Sequence, residues 1–318
     1  MLRTLLVRLL LGAGTVGLVS MLIFAGVEAL PGDACIAALQ RDAQGTRLAN
    51  CRRDLGLDRP AVVRYAAWAE RALHGDLGTS AGSGKPIGPM LSIRLRNTLL
   101  LAACALAAGV PLAVLLGIGA ALRRDRAFDV VASVASILVM TIPEFVSATV
   151  LIFVFSIWLD WLPGIVTADP SAPLSAFFPG IFLPIAVLAM VMTAHILRTV
   201  RSSVIDVLAS DYVQMARLKG VPEHRVILVH VLPSALLPAI NVIALTIAWL
   251  LGGVVVVEKV FNYPGLGRFL VDSITERDLP VVQAIALLLG SVYVGVNLAA
   301  DLLTLLLNPR LRSRQSGA

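Results

Sequence analysis

Six long apolar stretches, 9–27, 98–122, 130–159, 179–197, 235–257 and 281–307, constrain this chain more than any other feature. Their only charged residues are Glu144 and Asp301. A backbone inside lipid must satisfy its own N–H and C=O groups, so runs of this length are read as membrane-crossing helices. With 58% hydrophobic and 14% charged residues and a mean hydropathy of +0.88, the chain reads as an all-α integral membrane protein with six transmembrane helices.

The polar residues then set the layout. Residues 1–30 form an N-terminal transmembrane helix, 31–93 an extracytoplasmic segment, 94–307 the membrane core with a polar loop at 198–233, and 308–318 a tail. A cleaved signal peptide competes for the first run. Its apolar core is normally only about 7–15 residues long, and no clean small-x-small site follows, so a retained helix is expected. The net charge of +6 does not point to nucleic acid, because the basic residues cluster at the ends of apolar runs and form no stripe with interleaved aromatics.

Charge also orients the chain. Arg3 and Arg8, then Arg123, Arg124 and Arg126, the 198–233 loop, and Arg310, Arg312 and Arg314 mark one side, whereas 160–178 carries no Lys or Arg. Both termini and the polar loop are therefore expected in the cytoplasm. The basic first loop fits as well, since loops beyond about 60 residues translocate largely regardless of charge.

Within the polar loop, Ser203, Asp206, Ser210, Gln214 and Arg217 recur at helical spacing on one face, with Ile205, Leu208, Tyr212 and Met215 on another. This predicts one amphipathic helix. Lys219-Gly220 is a helix ending, because glycine adopts the left-handed cap without steric cost. Pro222 and Glu223 suit the first turn of a second helix running through Arg225 and Ile227 to Leu232, where Pro233 opens the next span. An ordinary loop lying on the membrane surface fits the same local pattern.

Other features bear on chemistry. Pro143 must kink or divide the third run, and Glu144 beside it is an acid at membrane depth, a costly placement that marks a candidate pathway residue. Cys35 and Cys51 share the first long loop, where a bridge or two free thiols are both open; a bridge would be worth roughly 3 kcal/mol. Cys104 lies in an apolar run as a small core residue. No Cys/His spacing suggests a metal site. Residues 60–73 are helical in pattern, with Val62, Ala66, Ala69 and Leu73 on one face. Gly82-Ser83-Gly84-Lys85 fails as a phosphate-binding loop, since Thr79 stands at the first required glycine and Pro86 follows the lysine.

The stretch Asp211-Tyr212-Val213-Gln214-Met215-Ala216-Arg217-Leu218-Lys219-Gly220 resembles the signature loop of binding-protein-dependent ABC importer permeases, whose pattern is Glu-Ala-Ala, three residues, Gly, nine residues, then Ile-x-Leu-Pro. Ala216, Gly220, Leu232 and Pro233 match in register, while Gln214, Met215 and His230 replace the Glu, the first Ala and the Ile. That variant is similar to the oligopeptide, dipeptide and nickel branch. Leu55-Gly56-Leu57-Asp58-Arg59-Pro60, Tyr65, Trp68, Gly75-Asp76-Leu77-Gly78-Thr79-Ser80, Thr141-Ile142-Pro143-Glu144-Phe145, the block from Glu258 to Arg268 and Asn308-Pro309-Arg310 extend the resemblance along nearly the whole chain.

The resemblance implies a type I ABC importer permease in a bacterial inner membrane. It implies pairing with a homologous second permease subunit, cytoplasmic ABC ATPase subunits and an extracytoplasmic solute-binding protein. ATP and Mg would be held by the ATPase subunits, with no cofactor and no catalysis in this chain. Asp211, Tyr212, Ala216, Arg217, Lys219, Gly220, Glu223 and Arg225 would form the coupling loop, Pro143 and Glu144 would border the pathway, and 31–97 would shape the outer mouth and meet the binding protein. Di- or oligopeptides are the expected cargo; nickel or glutathione fits the same architecture. A transporter working alone should show paired interrupted helices or a catalytic constellation, and neither is read here.

Overall fold

A computed structural model describes residues 2–29, 35, 44–54 and 58–307. Helices dominate, as the apolar runs require: α1 (Leu2–Ala29), α2 (Gly45–Asp54), α3 (Ala61–Leu73), α4 (Ile87–Leu122), α5 (Ala127–Thr141), α6 (Glu144–Ile152), α7 (Phe182–Leu208), α8 (Asp211–Leu218), α9 (Leu232–Val260), α10 (Leu266–Thr275) and α11 (Leu279–Leu307). The extended pairing among the described residues is a single bridge between Thr79 and Pro86.

Four helices, within α1, α4, α7 and α11, are long and apolar enough to cross a membrane, and two bent pairs raise the number to six if each is one span. The six-helix expectation therefore holds with unequal members. α4 starts well before the expected second span, and α7 runs on past the expected end of the fourth. The third span is divided rather than kinked: α5 and the helix of Glu144–Trp158 meet at 105°. The cause is local. A proline disfavours helical backbone in the residue before it and has no N–H to give. Ile142 is accordingly extended, and Pro143 becomes the N-cap of α6. At about 1.5 Å per residue each arm is roughly 22 Å long, short of a hydrocarbon core of about 30 Å.

The described residues fall into two compact units. One holds residues 1–98, 168–172 and 264–298; the other holds 99–167, 173–263 and 299–318.

In the first unit α1 and α11 approach through small residues: a Cβ built on Gly12 lies 3.3 Å from Val294, and one built on Gly290 lies 3.2 Å from Val19. Small residues allow such packing in lipid, where no hydrophobic force drives helices together. Ile87, Leu91, Leu266, Val281, Ala284 and Ile285 form the apolar core. Polar ties fix its edges. The Asn97 amide donates to the Pro170 carbonyl (2.9 Å) and to that of Pro264 (3.0 Å), and the Leu266 N–H donates to Thr98 Oγ1 (2.8 Å). In the same unit the Asp169 carboxylate accepts from the Ser171 hydroxyl and N–H, which hold it below the usual carboxylate range.

The start of the glycine-rich turn, Ser80 to Gly82, wraps an internal carboxylate. Asp278 accepts from the Ser80 hydroxyl, the Ala81 N–H (3.1 Å) and the Gly82 N–H (3.3 Å). These amides are engaged by the protein itself.

In the second unit α7 is the most deeply buried of the four single spans, packed against α9 and α5. α4 meets it at two glycines. A Cβ on Gly109 would lie 3.2 Å from the Ala189 Cα, and one on Gly117 would lie 2.8 Å from Val200 Cβ and 2.9 Å from the Leu197 carbonyl oxygen. The Thr193 hydroxyl donates to the Gly109 carbonyl at 3.2 Å. The loop leaving α9 is stitched by backbone: the Val166 N–H donates to the Phe261 carbonyl (2.8 Å) and the Asn262 amide to the Val166 carbonyl (3.0 Å).

Candidate functional site

The polar loop is built differently from its sequence periodicity. Arg198 to Leu208 is the end of α7, not a separate helix. The chain breaks at Ala209–Ser210, where Ser210 is extended, so Ser203 and Asp206 share no helix with Ser210, Gln214 and Arg217. The single amphipathic helix is thus corrected to two. Ser210 is a favoured N-cap type, and Asp211 follows in the first turn of α8, where a negative charge suits the helix dipole. The Ser210 hydroxyl itself donates back to the Val207 carbonyl.

The far end of α8 is as expected. Gly220 has φ +76°, the Gly220 N–H donates to the Arg217 carbonyl (2.9 Å), and the Val221 N–H donates to the Ala216 carbonyl (3.2 Å). This is the paired ending that a left-handed glycine supports. Pro222 is extended and caps Glu223–Arg225, which passes through a π turn at Val226–Val231 into α9. Pro233 stands where the next span opens, as expected. It lies in the first turn of α9, after a wide turn that relieves the clash a proline makes with the carbonyl four residues back.

Three contacts hold α8 onto the spans. Val213 and Val226 are fully buried. The Tyr212 hydroxyl donates to the His230 carbonyl at 3.1 Å. Arg217 grips Glu223 with two nitrogens, Nε at 3.1 Å and Nη2 on the other carboxylate oxygen.

The apolar face of α8 is open. Tyr212 is 47% exposed, Met215 54% and Leu218 82%. At i, i+3 and i+6 these three form one apolar stripe. Asp211, Lys219, Gly220 and Arg225 are exposed around it and Ala216 is half-buried. A Cβ built on Gly220 meets nothing within 4 Å, so it is the left-handed backbone at φ +76°, not crowding within the chain, that favours glycine there.

The other expected site residues lie elsewhere. Pro143 and Glu144 sit at the 105° break, with the Glu144 side chain half-buried at the N-terminus of α6, where unpaired N–H groups favour a carboxylate. Cys35 is fully buried, but the Cys51 side chain lies outside the described residues, and the choice between a bridge and two thiols with it. Cys104 is a free thiol.

One pair escaped sequence reasoning. Asp129, 2% exposed, is gripped by both Arg201 Nε and Nη2 (2.7 Å), and accepts from the Asp125 N–H at 3.0 Å. Arg201 reads as a topology signal in the sequence; the clue to its partner was an aspartate at the mouth of an apolar run.

Bent and continuous apolar helices, joined by a short helix that shows an apolar face, are the build of a multi-pass membrane protein. The chain belongs to the family described as binding-protein-dependent transport system inner membrane component, which it matches over residues 113–313. Residues 1–98 match the N-terminal component of the same systems.

Among similar proteins is the glutathione transport system permease protein GsiC of Pectobacterium atrosepticum, 38% identical over 98% of this chain and 99% of its own length. Another, named "Putative peptide permease protein", comes from Brucella suis biovar 1, at 36% identity over 98% and 99%. The chain is the permease subunit of an ABC importer, a multi-pass protein of the inner membrane.

Proposed function

We propose that α8 is the seat of a cytoplasmic ABC ATPase subunit and that this chain, paired with a homologous permease, forms half of a pathway for small peptides. The observation that carries this is the exposed Tyr212–Met215–Leu218 stripe on a helix fixed between two long helices, α7 and α9. A partner that moves α8 moves both. Turning a gate from mostly closed to mostly open takes about 5.5 kcal/mol of differential binding. Burying one Met or Leu side chain is worth about 1.5–3 kcal/mol, so a stripe of three supplies energy of that order.

ATP hydrolysis supplies the driving force, with ATP and Mg held by the partner, whose closure this chain only transmits. Both termini and α8 face the cytoplasm. A solute-binding protein delivers cargo to the segment on the other side. Di- or oligopeptide cargo is supported by the relative named for peptide transport; glutathione, for which another relative is named, or nickel is the alternative. Glu144 borders the pathway at the divided span, a role that unchanged uptake by Glu144→Gln would remove. In the assembled complex, Gly220→Trp is expected to abolish substrate-stimulated ATP hydrolysis and uptake. Unchanged hydrolysis and uptake would overturn the assignment of α8.

A further inference from the structure

We infer that α3 lies within the lipid leaflet at the C-terminal end of α1, its apolar stripe on acyl chains rather than on a protein partner or in water. The inference rests on α1 crossing the bilayer and goes beyond the coupling role of α8.

The contacts between α1 and α3 set the depth. The Tyr65 hydroxyl bonds that of Ser20 at 2.8 Å. Phe24 packs edge-on against Tyr65 at 5.4 Å and beside Trp68 at 6.3 Å, and Arg64 pairs with Glu28. The apolar span in α1 is Leu6–Ala29, 24 residues, or about 36 Å. Against a hydrocarbon core of about 30 Å, only about 6 Å of it is spare. Ser20 lies nine residues, about 14 Å, before the end of that span. Even with all the slack at that end, Ser20 sits roughly 8 Å inside the hydrocarbon. Tyr65 reaches it, so α3 is held at the boundary of the leaflet.

The polarity of the contacts follows the same gradient. The ion pair is at the rim, the two amphipathic aromatics lie below it, and the shared hydroxyl pair is deepest. Tyr and Trp favour this zone because one end is apolar and the other polar.

The remaining faces of α3 fit that placement. Tyr65, Trp68 and Ala72 are partly buried. Val62 is 79% and Leu73 88% exposed, with exposed Ala66 between them in one helical row. This is the face that periodicity marks as apolar; Val62, Ala66 and Leu73 on it are open and Ala69 is partly buried. Arg71, also exposed, lies on the far side. A helix with one apolar face, one charged face and its axis at the boundary is the physical description of an interfacial helix. It takes α3 out of the surface offered to a binding protein, which falls instead to the turns after Leu73.

The test is benzophenone photo-crosslinking in the assembled transporter in phospholipid nanodiscs. p-Benzoylphenylalanine replaces Val62, Leu73 or Arg71 in separate variants, with Leu18, 59% exposed on α1, as the lipid-facing control. A mass increase of one phospholipid at Val62 and Leu73, matched at Leu18 and lost at Arg71, is the expected result. A cross-link from Val62 or Leu73 to another subunit would overturn the inference. So would no adduct at either while Leu18 reacts. Loss of the Leu18 adduct contradicts the spanning of α1 and sinks the inference with it, while ATP hydrolysis measured on the same preparations reports the coupling role separately.

Discussion

Arg217 and Glu223 face each other across the Gly220 turn, with both carboxylate oxygens of Glu223 held by the Arg217 guanidinium. The pair fixes the angle between α8 and the helix leading into α9 at the point where the chain reverses. Both side chains are substantially exposed, so the pair adds at most about 1 kcal/mol to folding. Its consequence is geometric.

Either Arg217→Glu or Glu223→Arg should therefore leave the thermal midpoint of the purified chain nearly unchanged while lowering substrate-stimulated ATP hydrolysis in the complex. The charge-swapped double variant should recover much of that loss. No recovery would mean that the two residues act separately.

Asp129 and Arg201 behave in the opposite way. Asp129 is buried, so removing its partner strands a charge, at a cost of about 3–5 kcal/mol when such a pair is fully buried. Arg201→Ala should lower the midpoint of thermal unfolding in detergent clearly. Asp129→Leu combined with Arg201→Met should be less harmful than Arg201→Ala alone, because the pair is then replaced rather than broken. Equal stability of Arg201→Ala and the parent chain would contradict a structural role.

How much of this was legible follows from what a linear pattern encodes. The number and rough placement of the spans were readable, because apolar length alone reports them. The ending at Gly220 was readable too, since left-handed backbone has a residue preference. The break at Ser210 was not: the three- and four-residue spacing continues through it, and only the extended conformation of one residue ends it. Nor could periodicity tell that Met215 and Leu218 face outward, because an apolar stripe reads the same whether the chain or a partner covers it. Pro143 announced a break, but the 105° angle is set by packing. Long-range pairs such as Asp129–Arg201 and Ser80–Asp278 cannot be matched from local pattern, even where one member, Asp129, stands out at the mouth of an apolar run.

The first loop carries a redox prediction. We propose that Cys35 and Cys51 are bridged. Intact mass after alkylation under denaturing, non-reducing conditions should show one modified thiol, that of Cys104, and three after reduction. Three modified thiols before reduction would rule the bridge out.

The central claim is that α8 is gripped by a nucleotide-hydrolysing partner in the cytoplasm. p-Benzoylphenylalanine in place of Leu218, photolysed in the assembled complex, tests it most directly. A covalent product joining this chain to an ATPase subunit, with a yield that changes when ATP is bound, is the predicted result. A product with lipid or with an extracytoplasmic protein, or none at all from a complex that still hydrolyses ATP, would contradict it.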